Sequence, residues 1–364
     1  MSFYQRTREN ARIIWALTVK DMTDAIKNRT TLTIVLSALL MAVIYRFIPA
    51  FAGDDERTNL LIYDASESSL VASLEESLYL EVYTYPSQER MEQVLASGDV
   101  PELGLVVPAG IDQALAAGQA PEIPGYVVHW VGRQDARELV ALVEDEIISL
   151  AGQPARIEVG DNRVYPRADS GGYPFLTSVA LIYVTTMIGV TLVPHLMFEE
   201  RQNKTLDALL VSPAGSGQIV LGKGLTGLIY TMLSITIVLL VNPRLVVNWP
   251  LALLAALCGA GLGVMLGLLL GTTVKVKEQL AIWLWVLIVP LLLPVFLSML
   301  PGLLPEPAIS VVDWMPTVAL SRVFRLSFSD RAPLAQFGPE LALVAGCTAL
   351  VYGLVAWIVG RSDR

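Results

Sequence analysis

The chain has 364 residues, of which 54% are hydrophobic and only 16% are charged, and its mean hydropathy is +0.57. Soluble globular chains are typically about 45–50% apolar and about 25% charged, so this composition indicates a membrane protein. The two cysteines lie far apart in apolar segments and the two histidines are also far apart in sequence, which argues against a disulfide framework and a zinc site.

The first 29 residues (1–29) are predicted to form a cytoplasmic amphipathic helix. Its apolar positions recur at helical spacing and consist of Trp15, Val19, Met22 and Ile26. Charged residues on the other side include Lys20, Asp24 and Lys27. Such a helix can lie along the inner membrane surface with its tryptophan at the interface. The alternative interpretation is a simple cytoplasmic extension of the first membrane span.

Six apolar segments reach the length of about 20 residues that a bilayer-spanning helix needs. They are 30–51, 174–198, 219–241, 251–271, 280–300 and 341–360. All six lysines lie in connections on one side of the membrane, and the positive-inside rule places that side, with both termini, in the cytoplasm. Lys223, at the start of the third span, is expected to reach the inner headgroups.

Residues 52–173 then form one extracytoplasmic domain. Strands are predicted at 59–64, 103–107 and 126–131, and helices at 67–78 and 133–150, which together indicate a small α/β domain. The domain holds 22 acidic residues against seven arginines, a balance of −15. This charge favours solubility beside an anionic membrane, and attraction of cations is the second interpretation. The consecutive residues Glu144, Asp145 and Glu146 are expected to form a solvated face.

The stretch GQIVLGKG (217–224) is one residue short of a phosphate-binding loop. Gly222 and Lys223 fit the spacing from Gly217, but Gly224 stands where Ser or Thr would hold magnesium. Such a loop follows a buried strand, whereas the preceding KTLDALLVSP has a helical pattern and the residues that follow are apolar. The sequence therefore predicts no nucleotide site and no enzymatic activity in this chain.

The segment 199–215 is a short charged helix between two spans, well placed to transmit force to both. Its sequence EERQNKTLDALLVSP (199–213), with IVLGK at 219–223, resembles the signature of ABC-2 type transporter permeases. The resemblance covers essentially the whole chain. It is nearest to the branch with a large extracytoplasmic domain between the first two spans, which includes sodium-extrusion and drug-export permeases.

The resemblance implies an α-helical integral membrane protein with six transmembrane helices, similar to a type V ABC exporter, and an inserted extracytoplasmic α/β domain. The last five spans form one block within 174–364. The segment 199–215 is then a coupling helix seated on a separate ATP-binding subunit. The residues expected to contact that ATPase are Glu199, Glu200, Arg201, Lys204, Thr205, Leu206, Leu209, Ser212 and Pro213. The helix around Trp15–Ile26 is expected to touch the ATPase as well.

The resemblance also implies partners and location. The ATPase subunit binds ATP and magnesium, while this chain binds no cofactor or metal. A second permease copy completes the transporter, as a homodimer or alternatively a heterodimer. The assembly is expected in a prokaryotic cytoplasmic membrane, with no nucleic acid partner.

The proline-rich loop 301–340 precedes the last span. Related permeases carry re-entrant helices here, and the matching residues are Asp313, Trp314, Pro316, Arg322 and Arg325. Non-helical backbone at membrane depth must be covered by protein or water, so a re-entrant piece would line a path or a dimer seam. The alternative is a surface loop resting on the headgroups.

The fourth span carries a face of small residues. Glycines recur every four residues at Gly259, Gly263, Gly267 and Gly271. Such a face lets two helices approach closely. The contact is either a dimer seam or packing within one subunit.

Ionisable residues are nearly absent from the predicted spans, and His195 beside Pro194 is the main one. A dedicated ion relay would need Asp, Glu or His in the membrane, so we expect export of an amphipathic cargo such as a lipid or drug. A sodium-extruding permease is the alternative. A membrane-anchored ligand-binding or sensor protein is a further alternative, although it has no need for a segment like 199–215.

Overall fold

The computed structural model describes residues 3–27, 29–52, 57–202, 216–274, 276–300, 302 and 304–362. The chain begins with two long helices, α1 (Phe3–Lys27) and α2 (Arg29–Ala52). Next comes an α/β domain, and the remainder is a block of long apolar helices. The order of elements therefore follows the order that hydropathy indicates.

The α/β domain is built on one six-stranded sheet. Its elements are β1 (Thr58–Asp64), α3 (Ser69–Glu75), β2 (Leu80–Thr84), α4 (Gln88–Leu95), β3 (Leu103–Val107), α5 (Ile111–Ala116), β4 (Glu122–Val128), α6 (Arg133–Ala151), β5 (Arg156–Glu158) and β6 (Arg163–Val164). The strand order is β2-β1-β3-β4-β5, and β6 also pairs with β4. All pairs are parallel except β3 with β4.

Strands β1 and β3 coincide with two predicted strands because each is a short apolar run that is buried in the sheet. The third strand differs, since β4 covers Glu122–Val128 and the predicted strand was 126–131. The chain turns at His129 and Trp130, which leave the sheet and pack against the helical block. Helix α3 is shorter than the predicted 67–78 because Ser68 caps it by accepting a hydrogen bond from Val71 N–H.

Two of the three consecutive acidic residues on α6 are not part of a solvated face, which corrects the sequence prediction. The Glu144 carboxylate accepts a hydrogen bond from Ile157 N–H at 2.7 Å. The Glu146 carboxylate accepts one from the Ser77 hydroxyl at 2.6 Å. Each carboxylate therefore ties α6 to a neighbouring segment, and only Asp145 is exposed.

The helical block contains seven helices in the described part of the chain. They are α7 (Gly172–Gln202), α8 (Ser216–Val241), α9 (Trp249–Thr273), α10 (Lys277–Leu297), α11 (Glu306–Asp313), α12 (Pro316–Ser327) and α13 (Leu334–Ser362). Five of them, α7, α8, α9, α10 and α13, are long and apolar enough to cross a bilayer. These five coincide with the last five predicted spans.

The first predicted span, 30–51, lies in α2. Only Thr31–Leu40 is recognised there as an apolar helix among the described residues. That stretch is shorter than the about 20 residues a span needs. Among the described residues five helices qualify as spans, and the sixth, 30–51, stays a prediction, while α2 packs along α7 and buries Ala38 in the core of the block.

Helix α7 is the centre of the block and packs against α2, α8, α9, α10 and α12. Its tightest contact is with α9, through glycines on both helices. A Cβ added to Gly263 would lie 2.8 Å from the Thr185 carbonyl oxygen, and Gly267 faces the backbone of Gly189. The glycine face of the fourth span therefore serves packing within one chain rather than a seam between two.

The 301–340 region forms two short helices, α11 and α12, rather than a loop resting on the surface. Almost every residue of α12 is buried, and it packs against α7, α9 and α13. Proline lies in the first turn of both helices, where the missing N–H costs nothing. Of the matching residues, Trp314 lies between the two helices and is 73% exposed.

Candidate functional site

The helical block has two ends, the loop end and the domain end. The loop end is where Gln202 of α7 and Ser216 of α8 flank the segment 203–215. The domain end is where Gly172 of α7 leaves the α/β domain. Glu199, Glu200 and Arg201 form the last turn of α7, so the charged start of the predicted coupling helix continues the span without a break. The other predicted coupling residues lie in 203–215, outside the described residues: Lys204, Thr205, Leu206, Leu209, Ser212 and Pro213.

The near-miss phosphate loop is helical. Residues 217–224 are the first turns of α8, so their backbone N–H groups are not arranged as a phosphate cradle. The glycines have a packing role instead. A Cβ on Gly222 would lie 3.0 Å from Leu17 Cβ, and one on Gly224 would lie 3.2 Å from Leu268 Cδ1. Small residues here let α1 and α9 approach α8.

Lys223 does not extend to the membrane surface, which corrects the sequence prediction. The residue is 2% exposed. Its Nζ lies 3.2 Å from Asp21 Oδ2 of α1 and donates to the Leu196 carbonyl oxygen of α7 at 3.3 Å. Asp21 is buried as well, and exposed Lys20 lies 3.9 Å from its other carboxylate oxygen. A single ammonium group therefore joins α1, α7 and α8.

A seam of further hydrogen bonds runs along α1 and α8. The Thr18 hydroxyl donates to the Ile14 carbonyl of its own helix at 2.9 Å and lies 3.3 Å from the Gly222 carbonyl oxygen of α8. The Thr226 hydroxyl donates to the Gly222 carbonyl at 3.1 Å and lies 3.4 Å from the Thr18 carbonyl oxygen of α1. The Tyr230 hydroxyl donates to the Met22 carbonyl at 2.9 Å. The Gln218 amide donates to Asn10 Oδ1 at 2.8 Å. Helix α1 is thus fixed along the first half of α8.

Helix α1 has three faces. The sequence predicts the apolar stripe and the charged face, and the structure adds a buried face. Trp15, Val19 and Ile26 are 57%, 42% and 60% exposed, so most of the apolar stripe points away from the protein; Met22 is half-buried. The buried face consists of Thr18, Asp21 and Ala25. It was missed because it mixes a hydroxyl, a carboxylate and a methyl group, and only the spacing of these small residues could have indicated it.

The domain end is a second junction. His129 Nε2–H donates to the Leu245 carbonyl oxygen at 2.9 Å, and its ring stacks on Tyr165. The Tyr173 hydroxyl donates to Asn242 Oδ1 at 2.5 Å. Burial lowers the pKa of His129, and the charge of Arg163 acts in the same direction. The Nδ1 atom of His129 is buried and has no hydrogen-bond partner among the described residues, so the ring is held in its neutral form.

The two arginines of α12 have different environments. Arg322 pairs with Asp313 and with Glu340, the latter at 3.4 Å. Arg325 is 1% exposed, donates to the Ser170 carbonyl at 3.0 Å and lies 5.5 Å from the ring centre of Phe175. Burial and the charge of Arg322 lower the pKa of Arg325 to about 10, so it stays protonated at neutral pH. Arg325 therefore holds the start of α7 against α12.

An apolar cleft of about 620 Å³ opens among α9, α10 and α13. All three helices contribute residues near the loop end. The lining residues are Leu269, Leu270, Thr273, Val274, Gln279, Trp283, Val286, Leu287, Leu354 and Ile358. Its wall offers apolar contact and only a few polar groups, which suits a hydrocarbon chain rather than an ion.

Comparison with known proteins adds the family. The profile of the ABC-2 family transporter proteins matches residues 29–358, which is most of the chain. No curated protein matches the chain. The match spans α2, the α/β domain and the five apolar helices. The chain therefore belongs to the ABC-2 transporter family and is a multi-pass membrane permease.

Proposed function

We propose that this chain is the membrane subunit of an ATP-driven exporter. A separate ATPase subunit supplies ATP and magnesium and docks on 199–215 and on α1. The observation that carries the proposal is the junction at the loop end, where α1, α7 and α8 are bonded together beside the segment 203–215. In a chain of the ABC-2 family, this junction is the surface from which a partner's motion would reach the spans.

Helix α7 connects the loop end of the block to the domain end, so a displacement at one end can reach the other through it. Helix α7 runs from Gln202 to Gly172 and packs against five other helices on the way. At the domain end it is held by the hydrogen bonds of Tyr173 to Asn242 and of Arg325 to Ser170. ATP binding in the partner closes the ATPases, displaces 203–215 and moves α7, which switches access to a path between two copies of the permease.

The proposed cargo is amphipathic, such as a lipid or drug. The cleft among α9, α10 and α13 supports this class because its wall is apolar. Ionisable side chains are nearly absent from the described parts of the five spans, whereas a dedicated ion path would be expected to carry Asp, Glu or His in the membrane.

We place the protein in a prokaryotic cytoplasmic membrane with both termini in the cytoplasm. The support is the distribution of lysines and the exposed apolar stripe of α1, which fits the inner surface. The acidic α/β domain then lies outside. A dimer of two permeases and two ATPase subunits is the assembly that this arrangement requires.

The test is purification of the tagged permease from cells that also express the ATPase subunit encoded beside it. We expect the ATPase to co-purify and its hydrolysis rate to rise when the permease is present. Reversal of the charges in E200R/R201E should return hydrolysis to the rate of the ATPase alone, because the last turn of α7 leads into the docking segment. The matched control K277E/E278R reverses a charge pair at the same end and should keep the stimulation.

A permease that transports cargo without any ATPase would refute the proposal. Equal stimulation by E200R/R201E and the wild type would refute the role of 199–215. Proteoliposomes loaded separately with ²²Na⁺ and with a fluorescent phospholipid distinguish the two cargo classes. If only sodium moves in an ATP-dependent manner, the cargo is an ion and the proposed amphipathic class is wrong.

A further inference from the structure

The feature that the permease function leaves unexplained is the burial of Lys223 and Asp21. Removing an ammonium and a carboxylate from water carries a large desolvation cost, and their attraction often fails to offset this cost compared with apolar residues of similar size. A buried pair is therefore a poor device for stability alone. Its best-established use is to fix one arrangement of helices against others.

The position of the pair shows which arrangement is fixed. Lys223 lies seven residues after the start of α8, and Leu196 lies six residues before the end of α7. At about 1.5 Å per residue, both anchors lie about 10 Å from the helix ends that flank 203–215. A change in the separation of those ends has to pass through the bond from Lys223 to Leu196 before it reaches the rest of the spans.

The same ammonium holds α1. No helical route connects α1 to α8, because α2 and the whole α/β domain separate them in the chain. Attachment depends on the seam, in which Asp21–Lys223 is a buried charged contact and the bond of Tyr230 is neutral. The contact is specific in distance and chemistry: only a cation at residue 223 satisfies a carboxylate of α1 and a carbonyl of α7 at once.

We propose that Lys223 is a positioning residue that locks α1 to the α7–α8 pair. The two surfaces expected to meet the ATPase, α1 and 203–215, then move as one body and cannot slide past each other during a cycle. This inference rests on the proposed ATPase partnership and adds the element that keeps its two docking surfaces in register. Asp21 acts with Lys223, and the Leu196 carbonyl is their acceptor on α7.

The test uses the full permease with its ATPase and four variants. K223M and D21N each break the pair, K223R keeps a cation that can donate to both Asp21 and the Leu196 carbonyl, and D24N is the matched control on the exposed face of α1. Folded yield, retention of the ATPase and stimulation of hydrolysis are measured for each. A fourth measurement uses cysteines at Asn10 and Gln218, whose side chains are 2.8 Å apart, with Cys258 and Cys347 replaced by serine and a short bis-maleimide as the cross-linker.

We expect K223M and D21N to retain the ATPase within twofold of the wild type but to lose stimulation at least tenfold. The cross-linking rate should fall in parallel, since α1 leaves its register. D24N should behave as the wild type, and K223R should keep more than a third of the stimulation. A pair that served stability alone would lower the folded yield and leave stimulation per folded complex unchanged.

Wild-type stimulation by a K223M complex would overturn the inference while leaving the permease function intact. So would a folded K223R protein that cross-links like the wild type and yet stimulates no better than K223M. Loss of the ATPase from the wild-type chain would instead refute the proposed function, and Lys223 would then have no positioning role. The yield of K223R shows whether failure of a single variant is failure to fold.

Discussion

Replacement of Gly189 by alanine tests the close contact between α7 and α9. A Cβ on Gly189 would lie 2.7 Å from the carbonyl carbon of Gly263 and 2.9 Å from the backbone nitrogen of Val264. Ordinary contact begins at 3.4 Å, so the two backbones would have to separate by roughly 0.5–0.7 Å in a close-packed interior. No side chain can rotate away to relieve the clash, because the atoms on the other side are backbone.

The expected magnitude is a balance of two terms. Alanine in a helix is favoured over glycine by about 0.5–1 kcal/mol, whereas overpacking of a tight interior costs about 1–3 kcal/mol. G189A should therefore lower the free energy of unfolding by about 1–2 kcal/mol. Gly261 on α9 is the matched control, since its new Cβ would meet only Thr348 Cγ2, at 3.8 Å. G261A should raise the same free energy by up to about 1 kcal/mol.

The assay is thermal unfolding of the purified chain in detergent, followed by tryptophan fluorescence. With about 2–4 °C of melting temperature per kcal/mol, G189A should melt roughly 2–12 °C below G261A. Gly346 on α13 is a second control, because a Cβ added there would meet no atom of the described residues within 4 Å, and G346A should resemble G261A. A G189A protein that melts at or above G261A would refute the helix contact and the argument built on it.

Two further predictions concern the junctions at opposite ends of the block. Because the pKa of His129 is lowered in the folded protein, its contribution to stability is complete above the unfolded value of about 6.5 and is lost as pH falls below it. H129Q keeps a donor for the Leu245 carbonyl but does not titrate. Its melting temperature should therefore change less between pH 5 and pH 7.5 than that of the wild type, and an equal change would contradict the lowered pKa of His129. In single-tryptophan variants, brominated lipids should quench Trp15 fluorescence strongly and Trp130 fluorescence little, because Trp15 lies on the exposed apolar stripe; equal quenching would show that α1 does not lie on the bilayer.

The spans and two central strands were predictable because their signals are local. A run of 20 or more apolar residues has few other uses, and α7, α8, α9, α10 and α13 lie close to where hydropathy placed them. Strands β1 and β3 are short apolar runs bounded by polar residues. The strands β2, β5 and β6 were not predicted, since β2 has an exposed end and the other two have only three and two residues.

The contacts that build the candidate site were not predictable because their partners are distant in sequence. Lys223 and Asp21 are 202 residues apart, and the two residues of the His129–Leu245 bond are 116 apart. A lone lysine beside a span is read as a surface residue, since nothing local reveals a buried carboxylate on another helix. The same limit applies to Arg325, whose acceptor Ser170 lies 155 residues earlier.

The proline in α7 divides that helix into two mechanical parts. Pro194 has no N–H to donate to the Val190 carbonyl, which weakens the helix there. From Gly172 to Val193 the helix is about 33 Å long, close to the roughly 30 Å of a bilayer's hydrocarbon core. The remaining residues, Pro194–Gln202, extend about 13 Å further and include the Leu196 carbonyl held by Lys223. Residues Pro194–Gln202 therefore form a short extension of the longer segment Gly172–Val193. Because the proline weakens the helix between the two segments, bending there reduces how much of a displacement at Gln202 reaches Gly172–Val193.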